Sequence, residues 1–253
     1  MKICVCIKYV SIASKYSEFI GGDSDVDPVF LEHQVNEADF AALVEALRLR
    51  DEFGEAEVVV VSVGDEKVNE GLRACLALGA NRAIRIYSNE IALHDPISVA
   101  RALASVLRSE DTDIIMCGVQ SIDAGYQSTG PIIASSLERI CVSVASKIIW
   151  SNEFNSLKVQ RDFEGGLMEV LEVDLPAVIT VLPGINEMRY PSFKDTIRAK
   201  KMEIQLNEPK NLVASQMKIE KVFFKEVSRK VQMLEPDPKV VALKIIELVR
   251  EAL

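Results

Sequence analysis

Apolar residues along this chain follow two rhythms. Over the first 140 residues, short continuous apolar runs alternate with segments whose apolar positions recur every three or four residues. Residues 3–7, 57–63, 82–87 and 114–117 are runs of the first kind and read as strands buried on both faces. Between the first two, Phe40, Leu43, Val44 and Leu47 share one face of a helix that Asn36 starts and Gly54 stops. Asp65 starts a second helix, with Val68, Leu72, Cys75 and Leu76 inward and Gly79 as its stop. Asp95 and Pro96 start a third, with Ile97, Leu103, Val106 and Leu107 toward the core. This β-α-β-α order predicts an α/β fold: a doubly wound, Rossmann-like parallel sheet with helices on both faces.

Beyond residue 140 the rhythm changes. Residues 147–161 and 167–173 alternate apolar and polar positions around Glu164-Gly165-Gly166, the pattern of a hairpin at a sheet edge. Residues 177–182 read as a last buried strand, closed by the turn Pro183-Gly184. From Tyr190 onward periodicity fades, and residues 200–235 are charged and only sporadically apolar. A short helix capped by Asp237-Pro238 and carrying Val241, Ile245, Leu248 and Val249 ends the chain. Two units follow: an α/β domain over 1–199 and a C-terminal arm over 200–253. An arm with little core of its own suits packing on another protein; a helix folded back on its own sheet is the other arrangement.

Composition narrows the class. The 253 residues are 49% apolar, enough to fill a core, yet no apolar run approaches a membrane span. The opening Met1-Lys2-Ile3-Cys4-Val5-Cys6-Ile7 is too short for a signal peptide and has no small-residue cleavage site, which points to the cytoplasm. Cys4, Cys6, Cys75, Cys117 and Cys141 lie in apolar contexts, and their odd number fits reduced core thiols. With only His33 and His94 beside them, no metal site is expected. A net charge of −9 disfavours nucleic acid as a partner.

The candidate chemistry lies between Asp113 and Pro131. The apolar run breaks at Gly118 into a loop of small and hydroxylated residues, and Thr129-Gly130-Pro131 opens a helix. A strand feeding such a loop into a helix N-terminus builds an anion site, since free N–H groups and the helix dipole converge there. In a doubly wound sheet this spot lies beyond the carboxyl ends of the strands, where nucleotides bind. Ser128 and Thr129 are phosphate ligands or helix caps, and Tyr126 stacks on a base or covers the loop. Asp123 caps loop amides or a ribose hydroxyl, and Lys8 meets a phosphate or stands solvated on the rim. The chain has no Gly-x-x-x-x-Gly-Lys, no Gly-x-Gly-x-x-Gly after the first strand and no Gly-x-Ser-x-Gly. The residues thus describe a nucleotide-binding domain without catalytic machinery, not an enzyme.

Several segments, in this order and spacing, resemble the small (beta) subunit of electron-transfer flavoproteins. They are Val5-Cys6-Ile7-Lys8, Val35-Asn36-Glu37-Ala38-Asp39-Phe40, Val61-Ser62-Val63-Gly64, Leu76-Ala77-Leu78-Gly79-Ala80-Asn81-Arg82-Ala83 and Gly118-Val119-Gln120-Ser121-Ile122-Asp123. Glu164-Gly165-Gly166, Leu175-Pro176-Ala177-Val178-Ile179-Thr180, Asn186-Glu187-Met188-Arg189-Tyr190 and Ala199-Lys200-Lys201 complete the set. The resemblance implies a heterodimer whose large (alpha) subunit holds the redox-active FAD while the small one buries a structural AMP. It shuttles electrons from acyl-CoA-type or amine-type dehydrogenases to a downstream acceptor. The AMP contacts it implies fall on Cys6, on Asn36, Glu37, Ala38 and Asp39, on Val63, and on Gly118, Val119, Gln120, Ser121, Ile122, Asp123, Ala124, Gly125, Tyr126, Gln127, Ser128 and Thr129. Aromatics that the family places near the flavin match Ala13 and Ala38, with Tyr16 and Phe40 as neighbours. The hydrophobic residue with which the family anchors a dehydrogenase matches Phe193.

Two other readings stand beside this one. A bifurcating relative would hold a second FAD in place of AMP; its usual Asp-Gly-Asp-Thr-Ala-Gln-Val-Gly stands here as Asp123-Ala124-Gly125-Tyr126-Gln127-Ser128-Thr129-Gly130. A stand-alone nucleotide-binding stress or signalling domain is the third, and the long tail argues against it.

Overall fold

The computed structural model describes residues 1–13, 19–20, 25–54, 56–151, 156–209, 212, 214–223 and 237–252. Its centre is β1 (Lys2–Cys6), followed by two short antiparallel ribbons. One pairs β2 (Tyr9–Ala13) with β5 (Leu31–Val35), the other β3 (Phe19–Ile20) with β4 (Asp25–Val26). The β5 strand escapes the apolar pattern because it is short and half-buried: exposed Glu32 and Gln34 alternate with half-buried Leu31, His33 and Val35. Then come α1 (Glu37–Phe53), β6 (Glu57–Val63), α2 (Val68–Leu78), β7 (Arg82–Ile86), α3 (Pro96–Ser109), β8 (Ile114–Gly118) and α4 (Thr129–Leu137). The chain continues through β9 (Ile140–Ser151), β10 (Ser156–Asp162), β11 (Met168–Asp174), β12 (Ala177–Val181), α5 (Phe193–Lys201), β13 (Ile204–Asn207) and α6 (Pro238–Ala252).

Nine strands form one sheet in the order β11-β10-β9-β12-β8-β1-β6-β7-β13. Every neighbouring pair from β9 to β13 is parallel, and β9, β10 and β11 are antiparallel. This is the doubly wound sheet predicted, with a hairpin, β10–β11, at its edge; residues 147–161, read as one arm of that hairpin, are instead the end of β9 and most of β10. Alternate residues of one strand serve opposite faces. Ile3 and Val5 pack with Leu43 and Leu47 of α1 and Leu72 and Leu76 of α2, whereas Cys4 and Cys6 pack with Leu103 and Leu107 of α3 and Ile133 of α4. A β-strand's period of two, buried on both sides, explains why the strand sequences read as unbroken apolar runs.

The helix signals hold at both ends, with local differences. Gly54 ends α1 at φ 77, a left-handed position that favours glycine. Asp95 caps α3, Oδ1 accepting from Ile97 N at 2.8 Å. Asp65 does not start α2 directly. Its Oδ1 accepts from Lys67 N, forming a turn, and the helix begins at Val68. Ile97 was expected in the core but is 47% exposed: it lies in the first turn of α3, beyond the sheet rim. Nor is 177–182 the last strand. Beyond it, β13 adds to the far edge, where only two of its four residues are apolar and none is fully buried. Arg73 secures the connection, its Nη1 donating to the carbonyls of Ala199, Lys200 and Met202 at the end of α5. On α6, Val240, Leu243, Ile245, Ile246, Leu248 and Val249 remain exposed. Tyr16 lies outside the described residues. Among the described residues, no helix is long and apolar enough to cross a membrane.

Candidate nucleotide site

From β1 the chain winds outward through β6 and β7, then returns across β1 to β8. The strand order therefore reverses between β1 and β8, and a crevice opens beyond their carboxyl ends. That crevice is a cavity of about 640 Å³. Cys6 and Cys117, the ends of β1 and β8, line its floor, and Val63 and Gly64 end β6 beside them. Residues 118–129 form one wall, Pro96, Val99 and Leu103 of α3 another, and Tyr9, Leu31 and His33 of the ribbon a third. Burial pushes the Cys6 thiol up, with Cys117 beside it adding to the effect, so neither is a ready nucleophile.

The first turn of α1 ties these walls together. Asn36 is buried and does not cap its own helix with its side chain. Instead its Nδ2 donates to Gln120 O at 2.9 Å and its Oδ1 accepts from Ile122 N at 3.1 Å. Asp39 joins the strand ends: Oδ2 accepts from Lys8 N at 2.9 Å, and Oδ1 from Gly118 N at 2.7 Å. Burial pushes the Asp39 carboxyl up to about 6, against the lowering effect of those two amides. The crossing is close enough to require glycine: a Cβ on Gly118 would lie 2.4 Å from Ala38 Cβ.

On the loop, Lys8 Nζ donates to Asp123 Oδ1 at 2.8 Å and to Ser121 Oγ at 3.3 Å. Burial alone would raise the Asp123 carboxyl, but hydrogen bonds from Lys8 and Ser121 more than offset it and hold it below the usual carboxylate range. Gln127, at φ 54, turns the chain into α4 and donates from Nε2 to Gln120 Oε1 at 2.8 Å. Ser128 then stands at the N-cap with its Oγ buried and without a partner within the protein. A hydroxyl stranded in a cavity wall at a helix N-terminus is what an anionic ligand would satisfy. Gly130 lets this terminus sit tight on the sheet, since a Cβ there would lie 2.4 Å from Thr180 Cγ2.

The structure brings most of the predicted site residues into one wall. Cys6, Asn36, Asp39, Val63, Gly118, Val119, Gln120, Ser121, Asp123, Ala124, Tyr126, Gln127, Ser128 and Thr129 all line the cavity. Glu37, Ala38, Ile122 and Gly125 do not: Glu37 and Ile122 are exposed, Ala38 is buried beneath Gly118, and Gly125 closes a turn onto Ser121 O. Phe193 stands apart, 82% exposed as the first residue of α5. Sequence reasoning missed Leu31, His33, Leu93, His94 and Ile219, which also line the cavity. They come from a polar ribbon, a loop and the tail, none of which carries a periodic signal.

Among the described residues, no group of three or more His, Cys, Asp and Glu side chains is placed to hold a metal ion. A doubly wound sheet with a cavity at its switch point and a helix N-terminus in the wall defines the class: a doubly wound α/β domain with a candidate ligand site beyond its strand ends. Comparison with known proteins narrows this to a family. The Electron transfer flavoprotein domain matches residues 28–211. The chain is 37% identical over 195 residues to the electron transfer flavoprotein subunit beta of Methylophilus methylotrophus, covering 77% of this chain and 74% of that one. It is 35% identical over 184 residues to the human subunit beta, covering 72% and 71%. It is also 37% identical over 177 residues to Protein FixA of Azotobacter vinelandii, covering 68% and 62%. The chain belongs to the electron transfer flavoprotein beta-subunit family, and its place is in electron transport.

Proposed function

We propose that this chain is the small subunit of a heterodimeric electron-transfer flavoprotein, an electron carrier and not an enzyme, and that its cavity holds a structural AMP. The observation that carries the reading is the buried, unpartnered Ser128 Oγ at the start of α4, in the wall of a switch-point cavity. Ser128, Thr129 and the helix start suit a phosphate, and the apolar surface of Val63, Val99 and Leu103 suits a base. Asn36 and Asp39 serve the nucleotide indirectly, by fixing the loop and strand ends that meet it. FAD, held mainly by the large (alpha) subunit, supplies the redox chemistry when bound. The arm beyond residue 200 packs on that subunit through the exposed apolar face of α6. Phe193 anchors the partner dehydrogenase, of acyl-CoA or amine type, and the protein works in the cytoplasm.

The test begins with extraction of the purified protein and chromatographic identification of what is released. AMP at one equivalent per chain is expected. Thr129→Glu sets a carboxylate in the proposed phosphate position and should expel AMP while part of the electron transfer survives. Undiminished AMP in that variant would move the phosphate elsewhere. A second reading, in which the cavity holds a second FAD, is favoured by its reach along the β2–β5 ribbon, where Tyr9, Leu31 and His33 line it. Flavin at two equivalents per heterodimer would establish it.

A further inference from the structure

The tail reaches the cavity wall at Ile219 and is tied beside it by side chains that the nucleotide reading does not use. Asp95 is buried and spends its two carboxylate oxygens in different directions. Oδ1 caps α3, while Oδ2 accepts the Ser215 hydroxyl at 2.6 Å, across 120 residues of chain. Next to it, His94 Nε2 is 3.0 Å from the Met217 carbonyl oxygen, to which it donates, and Met217 N donates back to Ser215 Oγ at 3.0 Å. Upstream, Leu212 packs on the core beneath α3 and α4. These ties bring Ile219 into the cavity wall opposite the loop, beside Pro96, Val99 and Leu103.

We propose that residues 214–219 are a latch over the nucleotide cavity, with Asp95–Ser215 as its catch and Ile219 as a ligand contact, so that the tail sets how fast the nucleotide leaves. Only the identity of the occupant rests on the AMP reading; the ties and the wall do not. A hydroxyl donating to a carboxylate is a charge-assisted bond, stronger than a neutral one. The Ser215 hydroxyl accordingly holds the Asp95 carboxyl below its usual range. The same tail leads to α6, so a subunit that grips α6 also steadies the latch.

The test uses the full chain purified with its large subunit, as wild type and as Ser215→Ala combined with Ile219→Gly. In the first arm, protein loaded with radiolabelled AMP is chased with excess unlabelled AMP. Losing a charge-assisted hydrogen bond and an apolar cover should speed exit about tenfold or more. Ser215→Thr, which keeps the hydroxyl, should restore slow exit when Ile219 is intact. The second arm needs no nucleotide. A thiol introduced by Val99→Cys, in the cavity wall, is modified by methyl methanethiosulfonate in AMP-free protein and followed by mass spectrometry, so that its rate reports latch opening; exposed Cys141 is the internal control. The double variant should label the introduced thiol faster by about the same factor, with Cys141 unchanged. Wild-type exit and labelling rates in the double variant would overturn the latch. If wild type retains no AMP, the AMP reading falls, and the labelling rates alone uphold or overturn the latch.

Discussion

The two ends of the parallel sheet are finished in opposite ways. At the amino end, the protein's own charges pair with one another around a polar cavity of about 450 Å³ lined by Met1, Asp111, Thr112, Asp113, Arg139, Leu175 and Pro176. Lys2 Nζ donates to Glu110 O at 2.6 Å, Arg82 bonds Glu57 at 2.6 Å and Glu110 at 2.5 Å, Asp113 accepts the Lys2 amide at 2.7 Å, and Arg139 donates to Thr112 Oγ1 at 2.8 Å. At the carboxyl end, the ion pair in the cavity wall is Lys8–Asp123, and Ser128 Oγ is buried without a partner. Parallel strands make this asymmetry natural, because strand ends and helix starts meet at the same rim. Those starts present N–H groups with no acceptor of their own. One end is a network of paired charges and the other a set of donors without partners in the protein. The lesson is that a ligand site here is recognised less by what it contains than by what the protein has left unanswered.

The contrast can be broken in four ways, from the largest expected effect downward. Gly118→Val forces a Cβ to within 2.4 Å of Ala38 Cβ and 2.7 Å of Asp39 Oδ1. It should cost about 3 kcal/mol and empty the cavity; a urea melt and nucleotide analysis check both, and an unchanged midpoint would deny that the rim is tightly built. Phe193→Ala removes the exposed residue proposed as the dehydrogenase anchor and, on that proposal, should slow reduction by the dehydrogenase about thirtyfold, for about 2 kcal/mol, without touching nucleotide content. A lowered melting temperature with a normal rate would make it a packing residue instead.

The third test sets the two ends against each other by pH. Asp39 has its folded-state carboxyl raised to about 6 by burial, so the native chain binds that proton before the unfolded chain does. Wild type should therefore gain stability over Asp39→Asn as pH falls from about 6 to about 4, at up to about 1.4 kcal/mol per pH unit. At the other end, burial would raise Glu110, but Arg82 and Lys2 outweigh it and hold its carboxyl below the usual range. Its contribution is present above the unfolded value and is lost as pH falls through the folded one. Chemical denaturation across pH on both variants should give difference curves of opposite slope. The smallest effect is Glu110→Gln measured at neutral pH. Its partners Lys2 and Arg82 are partly exposed, so the loss should be about 1 kcal/mol or less and should shrink in high salt.

Much of this was legible beforehand, for identifiable reasons. Strands such as 57–63 announce themselves because both faces are buried and every position must be apolar. The loop 118–129 could be placed because glycine and hydroxyl residues between a strand and a helix start have few other uses. What stayed hidden was relational. Nothing in Asn36 says that its amide serves Gln120 and Ile122 and not its own helix. Nothing in Ser215 points to Asp95, because a bond between a polar tail and a helix cap leaves no periodic trace. The half-buried strand β5 and the edge strand β13 were hidden for the opposite reason, having too few apolar residues to stand out.

The central place of β1 also bears on how the chain is made. Ile3 pairs with Val58 on one side and with Ile114 on the other. During synthesis β1 therefore cannot complete its pairing until more than 110 further residues have followed. Until then Ile3, Cys4, Val5 and Cys6 offer two unpaired edges and two apolar faces. Long-range parallel pairing of this kind is intrinsically slow and leaves such segments open to association with other chains. A strand buried on both faces in the finished sheet is thus exposed to other chains during synthesis until its neighbours have followed.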